Sequence, residues 1–421
     1  MHVITHPPAA SRGACSVNDI AAALRNTTET LAHELARPSA AAPAWTALEW
    51  RLAEAAAAIH GVSSLLHGTL QWRGPARWQR FLDDQGQQTR GRHQRITDLL
   101  SNIDTLARRH GVAVTPLKGA ALYALGVYSA GERPMADVDL LVRDVDLEPT
   151  GRLLRQLGYE ESSATWKHRV FVPRDAQASA GFGEHAANPI KIDLHTRVFE
   201  RLPVEDADIT EQIFRQRPEP GLNDYPAIAS LMTHLLLHAA GDMRGRSVRL
   251  MQLHDIARLG GRMNADDWKS ASCVPSRWWA LPPLSLTARY FPQAIPSDFL
   301  AELAPGCPRN LRRVCRRQTL TDTSLSNLWI EAFPGIEWSK TRTERIRYIV
   351  NRVRPNRELL AARQDLAKSH SWMNEDSWTR MPQWRRMLRW VRSRPPRVET
   401  MHSVTAALAA APIEAGTGSD P

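Results

Sequence analysis

The chain has 421 residues and a mass of 47.2 kDa, more than one hydrophobic core normally serves, so two or three packed units are expected. Apolar residues make up 43% and charged residues 23%, a globular balance that excludes low-complexity and membrane-embedded classes. The net charge of +10 is unevenly spread: residues 301–421 hold 21 Lys and Arg against 12 Asp and Glu, while the first 300 hold 33 against 32. A basic C-terminal region is suited to phosphates, RNA or an anionic surface, and the bland alternative is arginines on solvated helix faces. Cys15, Cys273, Cys307 and Cys315 are far apart with no Cys-x-x-Cys pair, which speaks against a disulfide framework or a zinc knuckle and fits a reducing compartment. Residues 1–16 contain Pro7 and Pro8 where a secretory signal needs an unbroken apolar stretch, and no apolar run reaches membrane-spanning length. A cytoplasmic protein without a membrane span is expected.

Residues 1–17 are expected to be flexible, and residues 18–111 read as packed helices, with Leu48, Leu52, Ala55, Ala56, Ile59 and Val62 at helical spacing. The pattern continues through Leu99, Leu100, Ile103 and Leu106 and is stopped by Gly111, a residue type suited to the left-handed position after a helix. Residues 112–202 then alternate strand and helix signals: a strand through Val112, Val114 and Leu117, a short helix from Ala120, a strand through Val138, Leu140, Leu141 and Val142, and a helix over 147–157 closed by Gly158. Residues 169–172 and 189–194 are further strand candidates. From 203 to 395 the helical period returns, interrupted by prolines, and residues 396–421 are small and polar enough to predict a disordered tail. The fold class is α+β, a small mixed-sheet core flanked by N-terminal and C-terminal helical domains.

The segment with chemical content is Lys118-Gly119-Ala120, followed by Gly131-Glu132-Arg133 and Asp137-Val138-Asp139-Leu140-Leu141-Val142. Asp137 and Asp139 are two apart on a strand and share a face. Two such carboxylates repel one another unless cations lie between them, and oxygen-only ligands suit Mg²⁺. Asp193, in the apolar alternation Ile190-Lys191-Ile192-Asp193-Leu194-His195, is the candidate third carboxylate. Lys118-Gly119 lies at a strand-to-helix turn, where glycine lets backbone approach a phosphate.

With these residues the sequence resembles the nucleotidyltransferase superfamily of the DNA polymerase β type, and within it the bacterial group described as uncharacterised nucleotidyltransferases. The likeness runs over about residues 95–260 and includes Gly158-Tyr159, Asp193-Leu194-His195, Leu235-x-x-His238 and Leu250-x-x-Leu253-x-Asp255. The resemblance implies that Asp137, Asp139 and Asp193 hold Mg²⁺ or Mn²⁺ and that Asp193 helps deprotonate an acceptor. It also implies that Gly119 occupies the triphosphate turn, with Lys118 or Arg133 supplying the donor that Ala120 lacks. The reaction implied moves a nucleoside monophosphate from an NTP such as ATP to a hydroxyl of a peptide, small natural product, glycan or RNA, with release of pyrophosphate. Such proteins are associated with biosynthetic gene clusters. A non-catalytic nucleotide- or partner-binding protein of the same fold, or a kinase using the same metal ligands, are the competing readings.

His195, on the face of Asp193, is expected either to orient a phosphate or to serve as a structural tie. His234 and His238 have metal-compatible spacing, but the leucines between them favour a buried structural pair. Asp255 is expected to cap or to pair with Arg249 or Arg258, or to belong to the nucleotide site. Trp372, Trp378, Trp384 and Trp390, interleaved with Arg380, Arg385, Arg386, Arg389, Arg392 and Arg394, suit base stacking or a partner groove, with docking of a terminal helix onto the protein's own core favoured. The P-loop, the Gly-x-Ser-x-Gly elbow, the dinucleotide-binding glycine motif and His-Glu-x-x-His are all absent from the sequence.

Overall fold

A computed structural model describes residues 15–164, 167–176, 182–272, 277–355, 357, 360 and 381–409. The chain opens with α1 (Val17–Ala36), α2 (Ala47–His60), α3 (Ser63–Thr69) and α4 (Ala76–His110). Capping boxes start the first two: the Asp19 amide donates to Ser16 Oγ at 3.1 Å, and that of Glu49 to Thr46 Oγ1 at 3.2 Å. Gly111, at φ 70°, ends α4 in the left-handed conformation that its lack of a Cβ permits.

The α/β region follows as β1 (Ala113–Pro116), α5 (Lys118–Ala124), β2 (Asp137–Leu141), α6 (Leu147–Gln156), β3 (Tyr159–Ala164), β4 (Arg169–Pro173) and β5 (Lys191–His195). A small antiparallel hairpin, β6 (Phe199–Arg201) with β7 (Asp206–Asp208), leads through α7 (Thr210–Ile213) to β8 (Gly221–Leu222). The main sheet has the order β3-β4-β5-β2-β1-β8 and is mixed: β2 is parallel to β5 and β1 to β8, and the other pairs are antiparallel.

Two of these strands were not expected. β3 reads Tyr-Glu-Glu-Ser-Ser-Ala and is mostly exposed at the sheet edge, so no apolar alternation marks it. β8 has two residues and lies beyond 202, where the core was expected to end.

One face of the sheet is sealed by helix. Val138, Leu140, Ile192, Leu194 and Phe171 pack with Ile96, Leu99 and Ile103 of α4 and Leu153 and Leu154 of α6. The remainder is helical: α8 (Ile228–Gly245), α9 (Leu250–Gly260), α10 (Ala265–Ser272), α11 (Leu281–Tyr290), α12 (Ser297–Leu303), α13 (Arg309–Cys315), α14 (Leu320–Thr323) and α15 (Arg342–Val353). The N-terminal and C-terminal helices share one apolar cluster, in which Leu24, Leu31, Leu52 and Leu66 join Leu231, Leu236, Leu250, Leu253 and Leu284.

The last described elements are α16 (Gln383–Arg392) and α17 (Val398–Ala409). α17 corrects the expectation of disorder from 396 onward: Val404 and Ala407 are fully buried, and Arg77 Nη2 donates to the Ala407 carbonyl at 2.8 Å. Residues 410–421 lie outside the described residues. α16 corrects the expectation that its aromatic stripe docks in the core. Trp384 and Leu388 are exposed, and the half-buried Trp390 has the Arg352 guanidinium 5.1 Å from its ring centre. Trp372, Trp378 and Arg380 lie outside the described residues.

Candidate active site

The unsealed face of the sheet forms the floor of a cleft of about 540 Å³. Register fixes which side chains reach it. In the parallel β2–β5 pair Asp139 lies opposite Asp193, and Asp137 and His195 stand two residues away on the same face. In the antiparallel β4–β5 pair Val170 lies opposite Asp193, so His168, two residues before Val170, comes beside His195, with ring centres 4.9 Å apart. The three carboxylates therefore converge from adjacent strands. The opposite wall is α8 and the start of α9, which contribute His234, His238, Asp242, Arg249 and Gln252.

Lys118 enters from the β1–α5 turn. Its φ of 47° is left-handed, a conformation that costs a residue with a Cβ about 1–2 kcal/mol. Three ties hold it there. The Leu117 amide donates to the Asp139 carbonyl at 2.9 Å, the Lys118 backbone hydrogen-bonds the buried Tyr225 hydroxyl, and Lys118 Nζ reaches Asp139 Oδ1 at 2.8 Å. The same carboxylate oxygen meets His195 Nε2 at 3.1 Å.

These contacts divide the carboxyl groups electrostatically. Burial penalises the charge of Asp139, but the Lys118 ammonium and the His195 contact outweigh it and hold its pKa well below the usual range. Asp193 lacks the lysine contact. Burial and the neighbouring charges of Asp139 and Asp137 push it up to about 7. Asp137 has solvent-reachable surface at the cleft mouth, yet the crowding walls and the Asp139 charge raise it as well. His168 is pushed down to about 4 by burial and by His195, so its ring is neutral at pH 7.

Lys118, Gly119, Arg133, Asp137, Asp139, Asp193 and His195 all line the one cleft, but Arg133 is engaged differently from the phosphate contact expected of it. Its Nε and Nη2 donate to the two oxygens of the buried Asp255 at 2.7 Å each, and Nη1 donates to the Pro134 carbonyl at 3.1 Å. Asp255 thus pairs with Arg133 and the Tyr128 hydroxyl, at 2.8 Å, and not with Arg249 or Arg258. Gly119 lies under this guanidinium, and a Cβ there would run into Arg133 Nη1 and come within 3.0 Å of Met135 Sδ. Its smallness is accounted for by that packing. His234 is a buried tie, its Nδ1 2.6 Å from the Tyr225 hydroxyl, while His238 faces the cleft with Asp242 at 3.6 Å.

Three contributors went unread in the sequence. His168 was passed over because it precedes the apolar run of β4, although strand parity places it with Asp193. Arg249 reads in the sequence only as a partner for Asp255. Among the described residues lining the cleft, Lys118, Arg133, Lys167 and Arg197 each have a carboxylate partner, whereas Arg249 is exposed with no carboxylate paired to it. Arg92, buried in α4, donates to the carbonyls of Met135, Ala136, Asn188 and Pro189, so it ties together the approaches to β2 and β5.

A six-stranded mixed sheet sealed by helices on one face and carrying three acidic side chains on the other is the α+β core of a nucleotidyltransferase. The chain belongs to the family described as an uncharacterised nucleotidyltransferase, which matches residues 46–292 and so takes in the helices from α2 to α11 as well as the sheet. No curated protein and no solved structure matches the chain.

Proposed function

We propose that the chain is a Mg²⁺-dependent enzyme, with Mn²⁺ an acceptable substitute, that transfers the nucleoside monophosphate of an NTP such as ATP to a hydroxyl of an acceptor bound in the cleft. The observation that carries this reading is Asp139 directly opposite Asp193 on hydrogen-bonded parallel strands, with Asp137 on the same face. The donor set fits the metal. Three carboxylates face one lysine, leaving an excess of negative charge, and the pressure that lifts Asp193 to about 7 is what a divalent cation relieves. Asp137, Asp139 and Asp193 would hold the metal, which when bound stabilises negative charge on the phosphate oxygens as a Lewis acid.

The side chains account for the remainder. Asp193, the carboxylate of β5 that is not paired with Lys118, is suited to accept the proton of the acceptor hydroxyl as its oxygen attacks the α-phosphorus. The bond from that phosphorus to the bridging oxygen breaks, and pyrophosphate departs with the bonding electrons. Arg249 offers an uncommitted guanidinium for the leaving phosphates, and Lys118 balances charge beside Asp139.

The test uses ATP labelled at the α- or the γ-phosphate, incubated with the protein, Mg²⁺ and an extract of producing cells. The α-label is expected to enter an acceptor as pyrophosphate accumulates. Transfer of the γ-label would instead make the protein a kinase, and transfer of neither would leave a nucleotide-binding protein. Asp137→Asn and Asp139→Asn should fold and lose about 10³-fold or more in rate, several kcal/mol of transition-state stabilisation. Unchanged turnover in either variant would refute the assignment.

A further inference from the structure

The all-oxygen ligand set leaves the imidazoles of the cleft without a chemical role. His168 and His195 stand side by side beyond Asp193, on the flank of the sheet away from Asp137. One ligand atom from each of His168, Asp193 and His195 lies within 4.8 Å of the others. His168 Nε2 is 3.5 Å from Asp193 Oδ2. All three side chains are partly buried yet line the cleft, so they are shielded from bulk water and open to a ligand from one side.

We propose that His168, Asp193 and His195 form a binding site for a borderline transition-metal dication of the Co²⁺ or Zn²⁺ type, distinct from the position between Asp137 and Asp139. Imidazole nitrogen favours such ions, whereas Mg²⁺ favours oxygen and retains water. Metal–nitrogen and metal–oxygen bonds of ~2.0–2.2 Å place the ligand atoms of a filled sphere ~3–4 Å apart, so side-chain rotations of about 1 Å close the triad. Three protein ligands leave coordination positions facing the cleft, the pattern of sites that take a water or substrate oxygen and not of purely structural ones. His195 also meets Asp139 Oδ1 through Nε2 at 3.1 Å, which couples the new position to the carboxylates. The inference rests on the reading of the cleft as a metal-dependent transfer centre only through Asp193, which both positions share.

The experiment titrates the metal-stripped full-length protein with CoCl₂ and follows visible absorption, with Mg²⁺ present in excess, while Mg²⁺·ATP binding is measured separately by calorimetry. One equivalent of Co²⁺ is expected to give ligand-field bands. His168→Gln and His195→Gln should each weaken Co²⁺ by about tenfold or more, with far-ultraviolet circular dichroism confirming the fold, and His110→Gln, an exposed histidine at the end of α4, should leave the titration unchanged. Absence of the bands, or equal titrations for wild type, His168→Gln and His195→Gln, would overturn the proposal. Co²⁺ binding that needs both histidines in a protein that fails to bind Mg²⁺·ATP would keep the metal site and discard the nucleotide reading. Mg²⁺·ATP binding with no Co²⁺ site would do the reverse.

Discussion

Arg249 is set apart from the other cations of the cleft by the absence of a carboxylate paired to it among the described residues. It stands just before α9 at the cleft wall, exposed, while the other lysine and arginine side chains described in that wall are matched to carboxylates. A guanidinium exposed at the wall of the cleft is free to meet an incoming anion, and a triphosphate supplies bidentate oxygens. Arg249→Ala is therefore expected to weaken Mg²⁺·ATP binding by about tenfold or more, the ~1.5–3 kcal/mol of a charged hydrogen bond, with little change in melting temperature. Arg249→Lys should recover part of the loss, because it keeps the charge but not the fork. Calorimetric titration of the three proteins with ATP and with inorganic tripolyphosphate checks this, and equal affinities would exclude a phosphate contact. The acids were legible from sequence because parity on a strand is a short-range rule that places Asp137 with Asp139 and Asp193 with His195. The pairing of Arg133 with Asp255, and the lack of a carboxylate paired to Arg249 among the described residues, both depend on where α9 packs, 116 or more residues beyond Arg133 in the chain, which local pattern does not encode.

At the scale of elements, the site depends on two strand starts being held level. Arg92, 2% exposed, sends its guanidinium from α4 to carbonyls on both sides: Met135 at 2.6 Å and Ala136 ahead of β2, Asn188 at 2.9 Å and Pro189 at 3.1 Å ahead of β5. Burial lowers its pKa from the ordinary arginine value, and Glu184, 3.6 Å away, works in the opposite direction. Replacing it leaves those carbonyls without their donor, so Arg92→Met should cost about 3–5 kcal/mol in urea unfolding and loosen the Asp139–Asp193 pairing. Mg²⁺·ATP binding should fall in parallel. A loss under about 1 kcal/mol with binding intact would show that the strands find their register without it. Other elements were read to different depths for comparable physical reasons. Gly111 and Gly158 announced the ends of α4 and of the α6 segment, since both need positive φ. The first half of α4 passed unrecognised as continuous because its polar run from Gln85 to Arg95 has little apolar period, its buried Gln85, Thr89 and Arg92 being polar side chains turned inward.

The molecule as a whole buries neutral imidazoles, and this sets its response to acid. His60 lies between the N-terminal and C-terminal helices: its Nδ1 accepts from the Leu250 amide and its Nε2 donates to Ser326 Oγ, both at 3.0 Å. Burial and the nearby Arg249 charge push its pKa down to about 3, against 6.5 for an unfolded histidine. The unfolded chain therefore binds the extra proton first, so the His60 contribution is complete above pH 6.5 and is lost as pH falls toward 3. Asp193 acts in the other direction: its carboxyl is raised to about 7 from 3.8, so acidification from 7 toward 3.8 relieves a cost that the folded state carries at higher pH. Total stability mixes the two, and a difference measurement separates them. His60→Gln keeps an acceptor and a donor but cannot titrate. The stability advantage of wild type over His60→Gln, from urea unfolding, is expected to shrink by about 2 kcal/mol between pH 7 and pH 5, at 1.36 kcal/mol per unit. A constant difference across that range would mean that His60 can hold its proton in the folded protein, and that the seam joining the two helical regions admits water.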